Sequence, residues 1–307
     1  MQKAYAAALY ELIRGDRRVI SCLSDSGTDY DALIAREFPE QVINFGISEN
    51  NQVAAAAGLA AAGKIPFVYT TGAFLIYRSC EFIRDDICLQ NRNVKLVGMG
   101  SGLSWSTLGP THHTTEDIGI LRSMPNLTVL SPGSPMELAA AVKAAYLHDG
   151  PVYIRMGMSG EREIYSDLGS LSFDRPQVLR DGKDATVFTT GSIVSQLLEA
   201  SQLLETQGLF IRIVHLPGLK PLAEEAVAKE CRAARLVVSV EEHTTLGGLG
   251  SAIADAACSR GVPLRLHKLG LPDCFAGGFG THLEVLRENG LDPHSLARQL
   301  QQIIQGS

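Results

Sequence analysis

Short runs rich in β-branched and apolar residues recur along this chain, each set apart from the next by a stretch of helical length. They are residues 19–23, 41–45, 66–70, 94–98, 127–130 and 152–156, then 185–190, 210–216, 236–240 and 264–269. Strands separated by helix-length crossovers pair in parallel, and parallel sheets are covered by helices on both faces. This alternation predicts an α/β chain of two doubly wound domains. The pattern lapses between Gly157 and Lys183, where Gly157-Met158-Ser159-Gly160, Gly169-Ser170 and Asp174-Arg175-Pro176 lack periodicity and read as a linker. The expected division is residues 1–160, a linker over 161–183, and residues 184–307; a length of 307 residues suits two domains.

Composition narrows the function by exclusion. A net charge of −6 with no basic block argues against nucleic acid as a partner, since phosphate binding needs clustered Lys and Arg. No apolar run is long enough to span a membrane, and the opening Met1-Gln2-Lys3-Ala4-Tyr5 does not begin a secretory signal, so a cytoplasmic address is expected. Six cysteines without a Cys-x-x-Cys pair read as reduced thiols rather than metal ligands or disulfides.

One segment calls for a chemical explanation. After the run ending at Phe45, Gly46 breaks the strand, Ser48 is a good N-cap, and Glu49 falls in the first turn of an alanine-rich helix reaching about Ala62. A first-turn Glu can simply complement the helix dipole, worth about 0.3–1 kcal/mol. The run Gly46-Ile47-Ser48-Glu49-Asn50-Asn51-Gln52-Val53, followed by Gly58-Leu59-Ala60, also resembles the pyrimidine-domain signature of transketolases, especially those split into two polypeptides. The resemblance implies a pyrimidine-binding domain of the thiamine diphosphate fold, in which Glu49 hydrogen-bonds N1′ of the cofactor's aminopyrimidine. A carboxylate there stabilises the tautomer that carries the cofactor's own base.

The second half resembles the family's C-terminal domain in order: Gly182-Lys183-Asp184-Ala185, Thr190-Gly191-Ser192, Lys220-Pro221-Leu222, Val240-Glu241-Glu242-His243, Gly247-Gly248-Leu249-Gly250 and Glu288-Asn289-Gly290. In the family this domain mainly builds the dimer, so Glu242 and His243 are expected to be structural or interfacial. Gly248-Leu249-Gly250 lacks the last glycine of a dinucleotide loop.

Further site residues follow from the same resemblance. Phe74 would stack on the pyrimidine and Tyr77 would approach its amino edge, unless both are core residues of a Phe74–Cys88 helix; Asp25 lies near the cofactor in the family, or serves a plain turn. Gly109-Pro110-Thr111-His112 matches the family's Gly-x-Thr-His segment, giving His112 as a catalytic residue that contacts substrate oxygen, with His113 beside it. Arg155 matches an Arg that grips a substrate phosphate, with ordinary salt bridging as its alternative. Departures from the sugar-processing pattern are Leu108 for an Asp, Gly100 for a His and Thr71 for an aromatic.

No Gly-Asp-Gly occurs, so the diphosphate and Mg2+ of thiamine diphosphate are expected on a separate N-terminal pyrophosphate-binding subunit, with no metal ligands here. The implied assembly is a heterotetramer around a homodimer core. The implied reaction is transfer of a two-carbon ketol unit from a ketose or ketose phosphate to an aldehyde. The alternatives are a decarboxylating 2-oxo acid (pyruvate-type) acyl transferase subunit and a non-catalytic scaffolding partner.

Overall fold

The computed structural model describes residues 1–306 apart from 28, 159–160 and 168–171, so part of the expected linker and Ser307 lie outside the described residues. The first elements are α1 (Gln2–Gly15), β1 (Val19–Leu23), α2 (Asp29–Glu37), β2 (Val42–Asn44), α3 (Glu49–Ala61) and β3 (Ile65–Thr71). Then come α4 (Ser79–Phe82) between two wide π-helical turns, Phe74–Arg78 and Ile83–Cys88, followed by β4 (Lys95–Met99), α5 (Asp117–Arg122), β5 (Thr128–Leu130), α6 (Pro135–Leu147) and β6 (Val152–Met156). The remainder is β7 (Gln177–Arg180), β8 (Ala185–Thr189), α7 (Val194–Glu205), β9 (Ile211–His215), β10 (Gly218–Lys220), α8 (Glu224–Ala233), β11 (Val237–Thr244), α9 (Leu249–Ser259), β12 (Leu266–Leu271), α10 (His282–Glu288) and α11 (Pro293–Gln305).

These strands make two sheets, ordered β10-β5-β6-β4-β3-β1-β2 and β12-β11-β8-β9-β7. Pairing is parallel except at β10 against β5 and β7 against β9, each at a sheet edge. The inner strands β1, β3, β4 and β6 are buried along their whole length, as a sheet covered on both faces requires. Their register sets Cys22 beside Val68 and Val97 beside Ile154.

Every expected strand forms within two residues of its expected ends except β11, which runs on to Thr244 and so takes in Glu241, Glu242 and His243. The two strands that the pattern did not signal are short edges. Strand β7 falls inside the span read as linker, and β10 comes from the second half of the chain yet completes the first sheet. One apolar cluster runs from Ile20 and Val68 through Phe188 and Val214 to Leu249 and Ile253, so residues of both halves share a core.

Candidate active site

The loops after β1, β2, β3 and β4 emerge at the carboxyl edge of the first sheet, where ligands bind in open α/β folds. Gly46, at φ +67°, turns the chain from β2 into α3, and Asn44 Oδ1 accepts the N–H groups of Gly46 at 3.0 Å and Asp25 at 3.1 Å, tying the two loops together. Ser48 occupies the N-cap position, although its side chain makes no capping bond. Gln52, fully buried, donates to the carbonyls of Cys22 at 2.8 Å and Tyr69 at 3.4 Å, and Ser79 Oγ donates to Asn50 Oδ1 at 3.0 Å. These bonds pin the first turn of α3 between the sheet and α4.

Glu49 is the first residue of α3 and is only 4% exposed. Its Oε2 accepts from Arg78 Nη1 at 2.9 Å. The same guanidinium lies over the Phe74 ring, with Cζ 4.1 Å from the ring centroid. The His112 ring meets Phe74 edge-on at 4.8 Å between centroids, and the Trp105 ring lies 6.1 Å from His112. Glu49, Phe74 and His112 are thus brought together from three separate loops and helices. A planar, N–H-bearing guanidinium thus occupies both the Phe74 ring face and the Glu49 carboxylate.

His112 Nδ1 is engaged with Thr111 Oγ1 at 2.9 Å. Burial, and then the Arg78 cation, lower its pKa below the ordinary 6.5, which favours neutral imidazole. Its neighbour behaves differently. His113 is buried, and neither ring nitrogen finds a partner; burial lowers its pKa against the pull of the Glu242 and Glu116 carboxylates. The adjacent histidines therefore part company: His112 sits against Phe74 and Trp105, and His113 is buried.

Three other expectations change in detail. Asp25 is exposed, at φ +48° in the turn after β1, and its backbone N–H is tied to Asn44 Oδ1. Tyr77 keeps an exposed ring face, but its hydroxyl is committed: it contacts the Glu116 carboxylate and accepts the N–H groups of Thr115 and Glu116, both at 3.2 Å. Arg155 takes the salt-bridging role that was its alternative. Its side chain is 1% exposed; Nε donates to Asp117 Oδ2 at 2.9 Å, and Nη2 donates to the carbonyls of Glu242 at 2.9 Å and Thr114 at 3.2 Å. Sealed between the two sheets, this guanidinium has no free face for a phosphate.

Glu242 and His243 also belong to that interior. Glu242 Oε1 accepts from Leu103 N at 2.6 Å and pairs with His282 Nε2 at 2.8 Å. The residues missed by the sequence reading are Arg78 and Trp105. An aromatic and an arginine at i and i+4, as Phe74 and Arg78 are, was an available signal. Trp105, the single tryptophan, packs over Gly100 so closely that a Cβ there would lie 2.3 Å from its Nε1.

A cavity of about 760 Å³ lies elsewhere, lined by Ser192, Glu242, His282, Leu286 and Asp292, and none of the residues expected to bind cofactor borders it. Among the described residues no group of three or more His, Cys, Asp or Glu side chains could hold a metal ion. Also among them, no helix is long and apolar enough to cross a membrane.

Comparison with known proteins yields two family matches, to the transketolase pyrimidine-binding domain over residues 1–159 and to the transketolase C-terminal domain over residues 175–296. A putative transketolase C-terminal section from Methanocaldococcus jannaschii is 34% identical over 303 residues, covering 98% of this chain and 95% of that protein. One subunit of an apulose-4-phosphate transketolase from Actinobacillus succinogenes is 34% identical over 264 residues, 85% of this chain and 84% of that protein. A solved structure described as a split-gene transketolase in an inactive beta4 tetramer superposes with a TM-score of 0.88 at 35% identity, covering 98% of this chain and 97% of that one.

Proposed function

This chain belongs to the transketolase family, with its pyrimidine-binding and C-terminal domains, and we propose that it is one subunit of a split, thiamine diphosphate-dependent enzyme that transfers a two-carbon ketol unit from a ketose or ketose phosphate to an aldehyde. It does so only in complex with a separate pyrophosphate-binding subunit, which holds the diphosphate and Mg2+ in a heterotetramer built on a dimer of this chain. The observation that carries the reading is the buried Glu49 carboxylate, linked through Arg78 to the Phe74 ring, at the carboxyl edge of the sheet.

Bound thiamine diphosphate supplies the electron sink for breaking and forming the carbon–carbon bond. Glu49 would hold the protonated ring nitrogen of the pyrimidine, and Phe74 would offer its flat face. His112, kept neutral by burial and by Arg78, has Nδ1 occupied by Thr111, so Nε2 is the nitrogen left to hold a substrate oxygen. The Actinobacillus relative is named as one subunit of its transketolase, which supports a separate partner chain here.

The test is reconstitution with the pyrophosphate-binding subunit, thiamine diphosphate and magnesium. Ketol transfer should appear, and Glu49→Gln should lower kcat about a hundredfold or more, a loss of the size general acid–base groups contribute. Full turnover with the amide in place would refute the proposal.

A second reading, a decarboxylating enzyme of the 2-oxo acid type, is favoured by one feature. Exposed Leu108 precedes the His112 loop, and Trp105 covers Gly100, so the residues at 108 and 100 themselves have no side-chain group to bond a donor hydroxyl, and the unpartnered Trp105 indole N–H is the donor left there. A site with fewer such groups loses discrimination for hydroxylated donors. Leu108→Asp should shift preference from pyruvate toward sugar phosphates; an unchanged preference removes this reading's support.

A further inference from the structure

Arg78 makes, from within the chain, both contacts expected of the pyrimidine. Its Nη1 donates to the Glu49 carboxylate at 2.9 Å, and its Cζ stands 4.1 Å from the centre of the Phe74 ring. Guanidinium is planar, delocalised and rich in N–H groups, so it pairs with carboxylates and stacks on aromatic faces in the manner of a small protonated heterocycle. The Phe74 face that the guanidinium covers cannot also hold a second flat partner. An incoming ring therefore has to expel Arg78, and the side chain, 49% exposed, is free to leave.

Expulsion has an electrostatic consequence. Arg78 gives up its counter-ion at the mouth of the cleft, close enough to His112 that its charge lowers the imidazole pKa. An uncompensated guanidinium at such a place recruits an anion, for which its fork geometry is suited. Arg155, the residue expected from the sequence to do this, is enclosed by Asp117 and two backbone carbonyls.

Resting on the function proposed above, we propose that Arg78 is an exchange residue: it fills the pyrimidine seat in the unloaded chain and, once displaced, binds the anionic group of the substrate, a phosphate or a carboxylate. This makes it a specificity-determining residue as well as a competitor for the cofactor.

The experiment uses the reconstituted complex with Arg78→Met, which keeps the apolar stem, and Arg78→Lys, which keeps the charge and loses the fork. Calorimetry with thiamine diphosphate at saturating magnesium should show a dissociation constant three- to tenfold lower for Arg78→Met. In the cofactor-loaded complex, inorganic phosphate and acetate are titrated in turn and followed by the His112 Cε1–H resonance. Both should bind at least fivefold more weakly to Arg78→Met, with partial recovery in Arg78→Lys, and the anion that loses more identifies a phosphate or a carboxylate as the natural group. Cofactor affinity unchanged in Arg78→Met overturns the inference, and so does anion binding that ignores the substitution. Neither measurement depends on turnover. An unsubstituted complex that binds cofactor yet transfers no ketol unit counts against the proposed function, while these two titrations still decide the role of Arg78.

Discussion

Two arginine–carboxylate pairs in this molecule share the same 2.9 Å separation and little else. Arg155 and Asp117 are 1% and 0% exposed, joined to Tyr153, whose hydroxyl donates to Asp117 Oδ2 at 2.8 Å. Both Nε and Nη2 of that arginine have fixed partners, and the group locks the loop at Thr114 and strand β11 against the first sheet. Arg78 and Glu49 are 49% and 5% exposed, on the rim of an open cleft, with one hydrogen bond between them. Burial separates a joint from a latch. A sealed pair resists exchange because parting it strands both charges in low dielectric, whereas the half-exposed Arg78 can turn out to water provided another donor takes its place at the buried Glu49 carboxylate.

That contrast can be challenged by substitution, starting where the greatest loss is expected. Arg155→Met leaves Asp117 charged and buried, and should destabilise the chain by about 3–5 kcal/mol in urea unfolding; a cost under about 1 kcal/mol would erase the distinction. Glu242→Gln should cost roughly 1.5–3 kcal/mol, the scale of a charged buried hydrogen bond, and its effect should depend on pH. Burial alone would raise the Glu242 pKa, but His282 and the Leu103 N–H hold it below the ordinary 4.5; burial alone would lower His282, but the Glu242 carboxylate raises it above 6.5.

The carboxylate's share of stability is therefore complete above 4.5 and disappears as pH falls through its lowered pKa. The imidazolium's share is complete below 6.5 and disappears as pH rises through its raised pKa. Thermal melts should accordingly show the wild-type advantage over Glu242→Gln greatest between these two values; an advantage independent of pH would mean that the pair is not ionised.

Smaller effects belong to the rim. Arg78→Met should cost less than Arg155→Met, because the arginine removed is half exposed and water can reach its side of the pair, and a cooperative melt of the variant checks that any effect on cofactor or anion binding is not a folding defect. Least in magnitude, the His112 titration followed by NMR should have its midpoint below 6.5 and move upward in Arg78→Met, because a cation that disfavours imidazolium has been removed. A midpoint indifferent to residue 78 would place the guanidinium farther from His112 than the structure does.

Much of this was legible in the residues. Strands such as Val19–Leu23 and Val152–Met156 announce themselves because inner parallel strands are apolar throughout. Glu49 was legible because Gly46, Ser48 and the alanine run fix a helix start around it. The edge strands β7 and β10 were not: three or four residues, half exposed or crossing to the other sheet, leave no periodic trace. Nor could the roles of His112 and His113 be separated, since neighbours in the chain differ only in which side of the loop is buried. Tyr77 was expected to offer its hydroxyl to a ligand, and the 115–116 backbone claims that hydroxyl first.

The order of residues alone determined the α/β alternation, the first-turn carboxylate and the aromatic that follows the third strand, because helix starts, strand burial and motif spacing are local properties. Only the folded chain decided what each charge is for. Arg155 and Arg78 have the same chemistry, and it is the dielectric around each, set by residues far away in the chain, that makes one a permanent bond between the sheets and leaves the other free to change partners.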